Sequence, residues 1–129
     1  MAILVTRTES QLSLTNSFQA LDNLAGASVS SSFTVASGMS AIKQVAIAVT
    51  ADGAEETVPI IKISGNAMRD VDAVMTGSAI VNAGSATGTS NNFATYDTDL
   101  AVQPGNSSEI SIAGTDDATV SAAVTLTFA

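Results

Sequence analysis

The sequence predicts an all-β chain folded as a single antiparallel β-sandwich, with a jelly-roll topology of about eight strands. Three observations carry this expectation. Apolar residues recur at every second position in one segment after another. β-Branched residues fill those segments, and Gly, Asn, Asp and Ser bound them. A six-residue corner also returns about half a chain later: Val35-Ala-Ser-Gly38-Met-Ser40 is followed by Val102-Gln-Pro-Gly105-Asn-Ser107. Two Greek keys wound into one roll place equivalent corners at about this spacing.

Taken in order, Ile3 to Thr6 and Gln11 to Leu14 open the chain as strands. Their apolar face has no long partner nearby in sequence, so residues 1–14 are expected to act as an N-terminal arm or an exchanged strand, with Ile3, Leu4 and Val5 at the contact. Leu14, Phe18, Leu21 and Ala25 fall at helical spacing behind Thr15 or Asn16, which predicts one short helical turn. Val29, Phe33 and Val35 alternate with Ser and Thr. Lys43 precedes Val45, Ile47 and Val49 in the same phase, and Ile61 and Ile63 follow Val58-Pro59. Val71, Ala73 and Met75 share a parity, as do Tyr96, Thr98, Leu100 and Val102. Ile110 and Ile112 make a short strand, and Val120, Ala122, Val124, Leu126 and Phe128 alternate most cleanly of all. Asp52-Gly53 and Asp116-Asp117 mark tight turns, and Asn82 to Asn92 is an uncharged loop.

At 129 residues the chain is the size of one domain, expected to span residues 1–129. A core is affordable without staples at this length. Hydrophobic residues are 46%, whereas charged residues are only 12%, about half the usual share. Four basic against twelve acidic residues leave a net charge of −8, which cannot neutralise a run of phosphates and is repelled by an anionic membrane. No nucleic-acid or membrane partner is expected. With no His and no Cys, the ordinary zinc, haem and iron–sulfur sites are excluded, as are Ser–His and Cys–His nucleophile pairs. The apolar run at the N-terminus stops at Val5 and lacks a basic flank, so it does not read as a secretory signal.

Few motifs remain. Ser40-Ala-Ile-Lys43 matches an S-x-x-K string but lacks the companion elements that make it catalytic, so Lys43 reads as a solvated strand-edge residue. The pairs Asp97/Asp99 and Asp116/Asp117 are candidates for calcium, which takes oxygen ligands alone. No twelve-residue calcium loop surrounds them, and solvated charge is the plainer account. Asp70 and Asp72 form a third pair. A glycosidase would need two flanking carboxylates and aromatic platforms; the chain has one Tyr, four Phe and no Trp. Lys62 and Arg69, two of the four cations, are candidates to meet an acidic patch on a neighbouring subunit. No cofactor is implied, and no enzyme.

A soluble monomer normally carries mixed charge, whereas this surface is mainly Ser, Thr, Asn and Ala. Such a surface is cheap to desolvate and has little side-chain entropy to lose on contact. The block Phe33-Thr-Val-Ala-Ser-Gly-Met-Ser-Ala-Ile-Lys-Gln-Val-Ala-Ile-Ala-Val49 resembles small jelly-roll structural proteins of prokaryotic viruses. So do Val58-Pro-Ile-Ile-Lys-Ile-Ser-Gly65 and the tail from Leu100-Ala-Val-Gln-Pro-Gly105 to Val124-Thr-Leu-Thr-Phe128. The resemblance spans most of residues 28–129 and is one of style. It implies a capsid decoration (cement) or minor capsid subunit, often a trimer, with no catalytic residues. Such a subunit joins a major capsid protein in the host cytoplasm and ends in the virion. Two other readings suit the same composition: a self-assembling cell-surface filament subunit (pilus, sheath or adhesion), and a ligand- or carbohydrate-binding module.

Overall fold

Along Ala118–Phe128 buried and half-buried residues alternate without interruption, so one side of that strand meets an apolar layer and the other faces out. The computed structural model describes residues 2–21, 31–51, 56–77 and 91–129. They form β1 (Ile3–Leu14), β2 (Gln19–Ala20), β3 (Ser32–Thr34), β4 (Ala41–Ala51), β5 (Pro59–Gly65), β6 (Ala73–Thr76), β7 (Asn91–Ala101), β8 (Ser107–Gly114) and β9 (Ala118–Phe128). The first sheet has the order β1-β9-β4-β7, and the second β2-β8-β5-β6 with β3 also on β8. Every ladder is antiparallel.

β2 and β3 lie end to end along β8, with Gln19 opposite Ile112 and Phe33 opposite Ser108, so together they make one interrupted edge strand. Counted that way the described residues make eight strand positions. Apart from the β5–β6 hairpin, each connection between positions crosses from one sheet to the other. This is a jelly roll, as the alternation predicts.

The layer between the sheets is Val45, Ile47 and Val49 of β4, Val120, Val124 and Leu126 of β9, Ile61 and Ile63 of β5, and Ile110 and Ile112 of β8. Each such side chain contributes about 1.5–3 kcal/mol by leaving water. The Phe33 and Phe128 rings meet across the sheets with centroids 5.7 Å apart. The Tyr96 hydroxyl, from β7, donates to the carbonyl of Thr76 at the end of β6.

The two recurring corners are structurally equivalent. Each begins on a buried Val (Val35, Val102) and turns on a glycine of positive φ, 88° at Gly38 and 84° at Gly105. The turns close through Met39 N–H to Ala36 O and Asn106 N–H to Gln103 O. They also bond to each other, Val35 N–H to Asn106 O and Gly105 N–H to Val35 O. Pro104 before Gly105 is the arrangement a type II turn favours.

Three local expectations change. Residues 14–21 hold no helical turn: Leu14 ends β1, a bend follows, and Leu21 enters the core with its N–H on the carbonyl of Ile110. Pairing with β8 satisfies that backbone better than one isolated helical turn would. Ala25 and Val29 lie outside the described residues, as do Gly53 and residues 82–90 of the expected loop. Lys43 does not share the inward phase of Val45. A register shift between Ile42 and Gln44 turns it out while keeping Ile42 and Val45 both buried. Val71 precedes β6 and is 75% exposed.

Candidate assembly surfaces

The outward side chains of the first sheet fall in cross-strand rows. One row is Leu4, Thr127, Gln44, Asp97; the next is Thr6, Thr125, Ala46, Thr95; the third is Thr8, Ala123, Ala48, Phe93. Within these rows Asp97 is the one charged residue. The central strands give a floor of Ala and Thr, and two apolar side chains stand up at opposite rims, Leu4 at 65% and Phe93 at 73% exposure. Thr6 and Thr125 share a hydroxyl hydrogen bond of 3.0 Å across this floor. At one end the Lys43 ammonium pairs with Asp99 at 2.6 Å, and Gln44 donates to Asp97 at 3.4 Å.

The outer face of the second sheet differs. Its central row is Ala20, Ser111, Lys62, Val74. The Lys62 ammonium lies 5.4 Å from the centroid of the Phe18 ring, a cation–π contact, and Phe18 and Val74 are both exposed. Towards Gly65, Ser32, Ser64, Asn66, Ser107 and Glu109 line a hollow of about 300 Å³. Its lining has no aromatic ring for a sugar to stack on. Tyr96, the single tyrosine, faces inward on β7 with its hydroxyl on Thr76.

The residues singled out from sequence are dispersed. Leu4 faces outward, whereas Ile3 and Val5 turn inward and pack half-buried against the core. Lys62 is central on the second sheet. Arg69 lies past the end of β5, its backbone N–H on the carbonyl of Ala101, so the two cations belong to different parts of the surface. Asp97 and Asp99 are exposed on β7. Asp116 and Asp117 form the β8–β9 turn, where Thr115 donates to the Asp116 carboxylate at 3.4 Å and Thr57 to its carbonyl at 2.9 Å. Among the described residues, no three acidic side chains converge on one point. The hydroxyl of Ser40 donates to the carbonyl of Ala129 and Lys43 is engaged by Asp99, so that pair does not meet.

Sequence reasoning passed over Phe18, Val74 and Phe93. Phe93 was legible, since its parity is opposite to that of Tyr96 and Leu100; Phe18 was hidden by its helical spacing. It also passed over Arg7, which turns inward on edge strand β1. There Nη2 donates to the carbonyl of Ser32 on the other sheet at 2.8 Å and Nη1 to that of Thr6 at 2.9 Å, while Nε is buried with no partner among the described residues.

No protein-family model matches the chain. No curated protein matches it. Among solved structures it is similar to the globular domain of zebrafish complement 1qA protein, at 12% identity and a TM-score of 0.56, covering 98% of this chain and 94% of that one. It is also similar to the coat protein of tobacco streak virus, at 12% identity and a TM-score of 0.38, covering 99% of this chain and 84% of that one. At such identity the first likeness shows a shared fold alone, and the second is too distant in geometry to carry an argument.

Proposed function

We propose that this chain is a non-enzymatic virion structural protein, a capsid decoration or minor capsid subunit that works through self-association and contact with the major capsid protein. The observation that carries this reading is the outer face of the first sheet. A chain of net charge −8 meets its own copies with repulsion over most of its surface, yet here three rows hold a single charge between two exposed apolar rims. The Thr and Ala of these rows lose little side-chain entropy when covered, so a close contact forms at small cost. Subunits joined this way across capsomer junctions would oppose expansion of a shell by contact area alone. The resemblance to small jelly-roll virion proteins supports the same reading, with a trimer as the closed form assembled in the host cytoplasm.

Strand β1 has a place in this scheme. It sits at the edge of the first sheet, and a neighbour's strand exchanged into that position would keep the register of Ile3 opposite Phe128. The same edge favours the filament reading, in which exchange continues without closing. Light scattering of the purified chain separates the two. A discrete particle near three times 12.9 kDa, unchanged by a calcium chelator, is expected. Open-ended polymers would put the filament first, and loss of mass on chelation would make the Asp pairs metal sites.

A further inference from the structure

The four cations of this chain have very different neighbours. Arg7 is committed to two backbone carbonyls, and Lys43 is paired with Asp99. Arg69 lies beyond the end of β5, its backbone N–H on the carbonyl of Ala101 at the C-terminal end of β7. Lys62 alone is set on the opposite sheet, on an exposed aromatic ring and across the ladder from exposed Val74. The first sheet carries the counterpart: Asp97 faces outward on β7, met by Gln44 rather than by a cation, in the next row but one to exposed Phe93. The first face thus offers Asp97 near exposed Phe93, with the Lys43–Asp99 pair at its end, and the second offers Lys62 beside exposed Phe18 and Val74, with exposed Glu109 one row away; the two faces lie on opposite sides of the sandwich.

We propose that copies of this chain join head to tail, the Phe18–Lys62–Val74 patch of one docking on the Asp97–Phe93 rim of the next, with Lys62 paired to the neighbour's Asp97. This rests on the self-association proposed above and names its two halves. The contact is heterologous, so it closes into a ring only when the rotation per subunit allows and otherwise continues as an open polymer. Complementary charge fixes which face meets which, because like charges set opposite one another are strongly penalised. The apolar side chains supply the buried area, and the ion pair supplies the register.

Charge reversal tests this on the full chain. Lys62→Glu and Asp97→Lys each place like charges across the contact and should raise the dissociation constant about tenfold or more, read by light scattering on dilution. The double variant restores an opposite pair and should return to within about threefold of wild type. Both sites are exposed or half-exposed, and unchanged circular dichroism checks that the variants stay folded. As an independent variant, Phe93→Ser should weaken assembly without altering charge. A double variant no better than the worse single one overturns the Lys62–Asp97 pairing and leaves self-association standing. A wild-type chain that remains at 12.9 kDa at all concentrations overturns self-association itself, and the pairing with it.

Discussion

Two glycines separate steric from conformational demand at the level of single residues. Gly114 ends β8 where three segments crowd together. A Cβ there would stand 2.5 Å from Thr57 Oγ1 and 2.6 Å from Leu14 Cδ2. Neither neighbour gives way easily: Leu14 is 1% exposed, and the Thr57 hydroxyl holds the Asp116 carbonyl. Gly105 is the opposite case, with φ at +84° and no atom of the described residues within 4 Å of the added carbon. Gly105→Ala therefore carries only left-handed backbone strain, about 1–2 kcal/mol. Gly114→Ala must displace packed atoms as well as an ordered turn, and the expected loss is about 3 kcal/mol, the upper end for overpacking. Urea denaturation of the two variants checks the order. A Gly114→Ala chain as stable as Gly105→Ala would mean that the β8–β9 turn yields freely.

Strand β1 is unevenly held. The register shift between Glu9 and Leu12 divides it into an inner part, where Leu12 and Leu14 are buried at 7% and 1% exposure, and an outer part, where Ile3 and Val5 are half-buried. Leu14→Ala should cost about 3 kcal/mol and Val5→Ala about 1 kcal/mol or less, by the area each removes from the core. Amide exchange should show the same division, with residues 3–8 opening before residues 12–14. Equal protection along the strand would argue against an outer part free to exchange with a neighbour. The inward Arg7 guards this edge, since an inward charge discourages unregulated pairing of a strand with other edges. Why some elements were legible in sequence and others were not follows from the same physics. β9, β4 and β5 announce themselves because each packs one face on the core, so period two is written into them. The edges are harder. β2 has two residues and Phe18 mimics a helical position, while Lys43 hides a bulge that no alternation rule reveals. The surface readings depend on how separate strands align: Leu4 and Asp97 share a row only because β9 and β4 lie between them.

For the whole molecule, the balance between net charge and local charge decides how assembly responds to salt. Each copy carries −8, and at about 10 mM salt the Debye length of about 30 Å lets whole chains repel one another. At about 150 mM the length falls to about 8 Å, so this repulsion is largely screened. The proposed Lys62–Asp97 contact acts over a few ångströms in a partly dehydrated interface, where screening is much weaker. Burial of Thr, Ala, Phe and Val side chains is not weakened by salt in this range. Self-association should therefore tighten as salt rises between these limits, although an ion pair lies at its centre. In the Lys62→Glu variant the tightening should be steeper, because added salt also relieves the local like-charge contact. Dissociation constants measured at both salts decide the matter. Association that weakens with salt in the wild type would mean that opposite charges, rather than the uncharged floor of the first sheet, supply most of the binding.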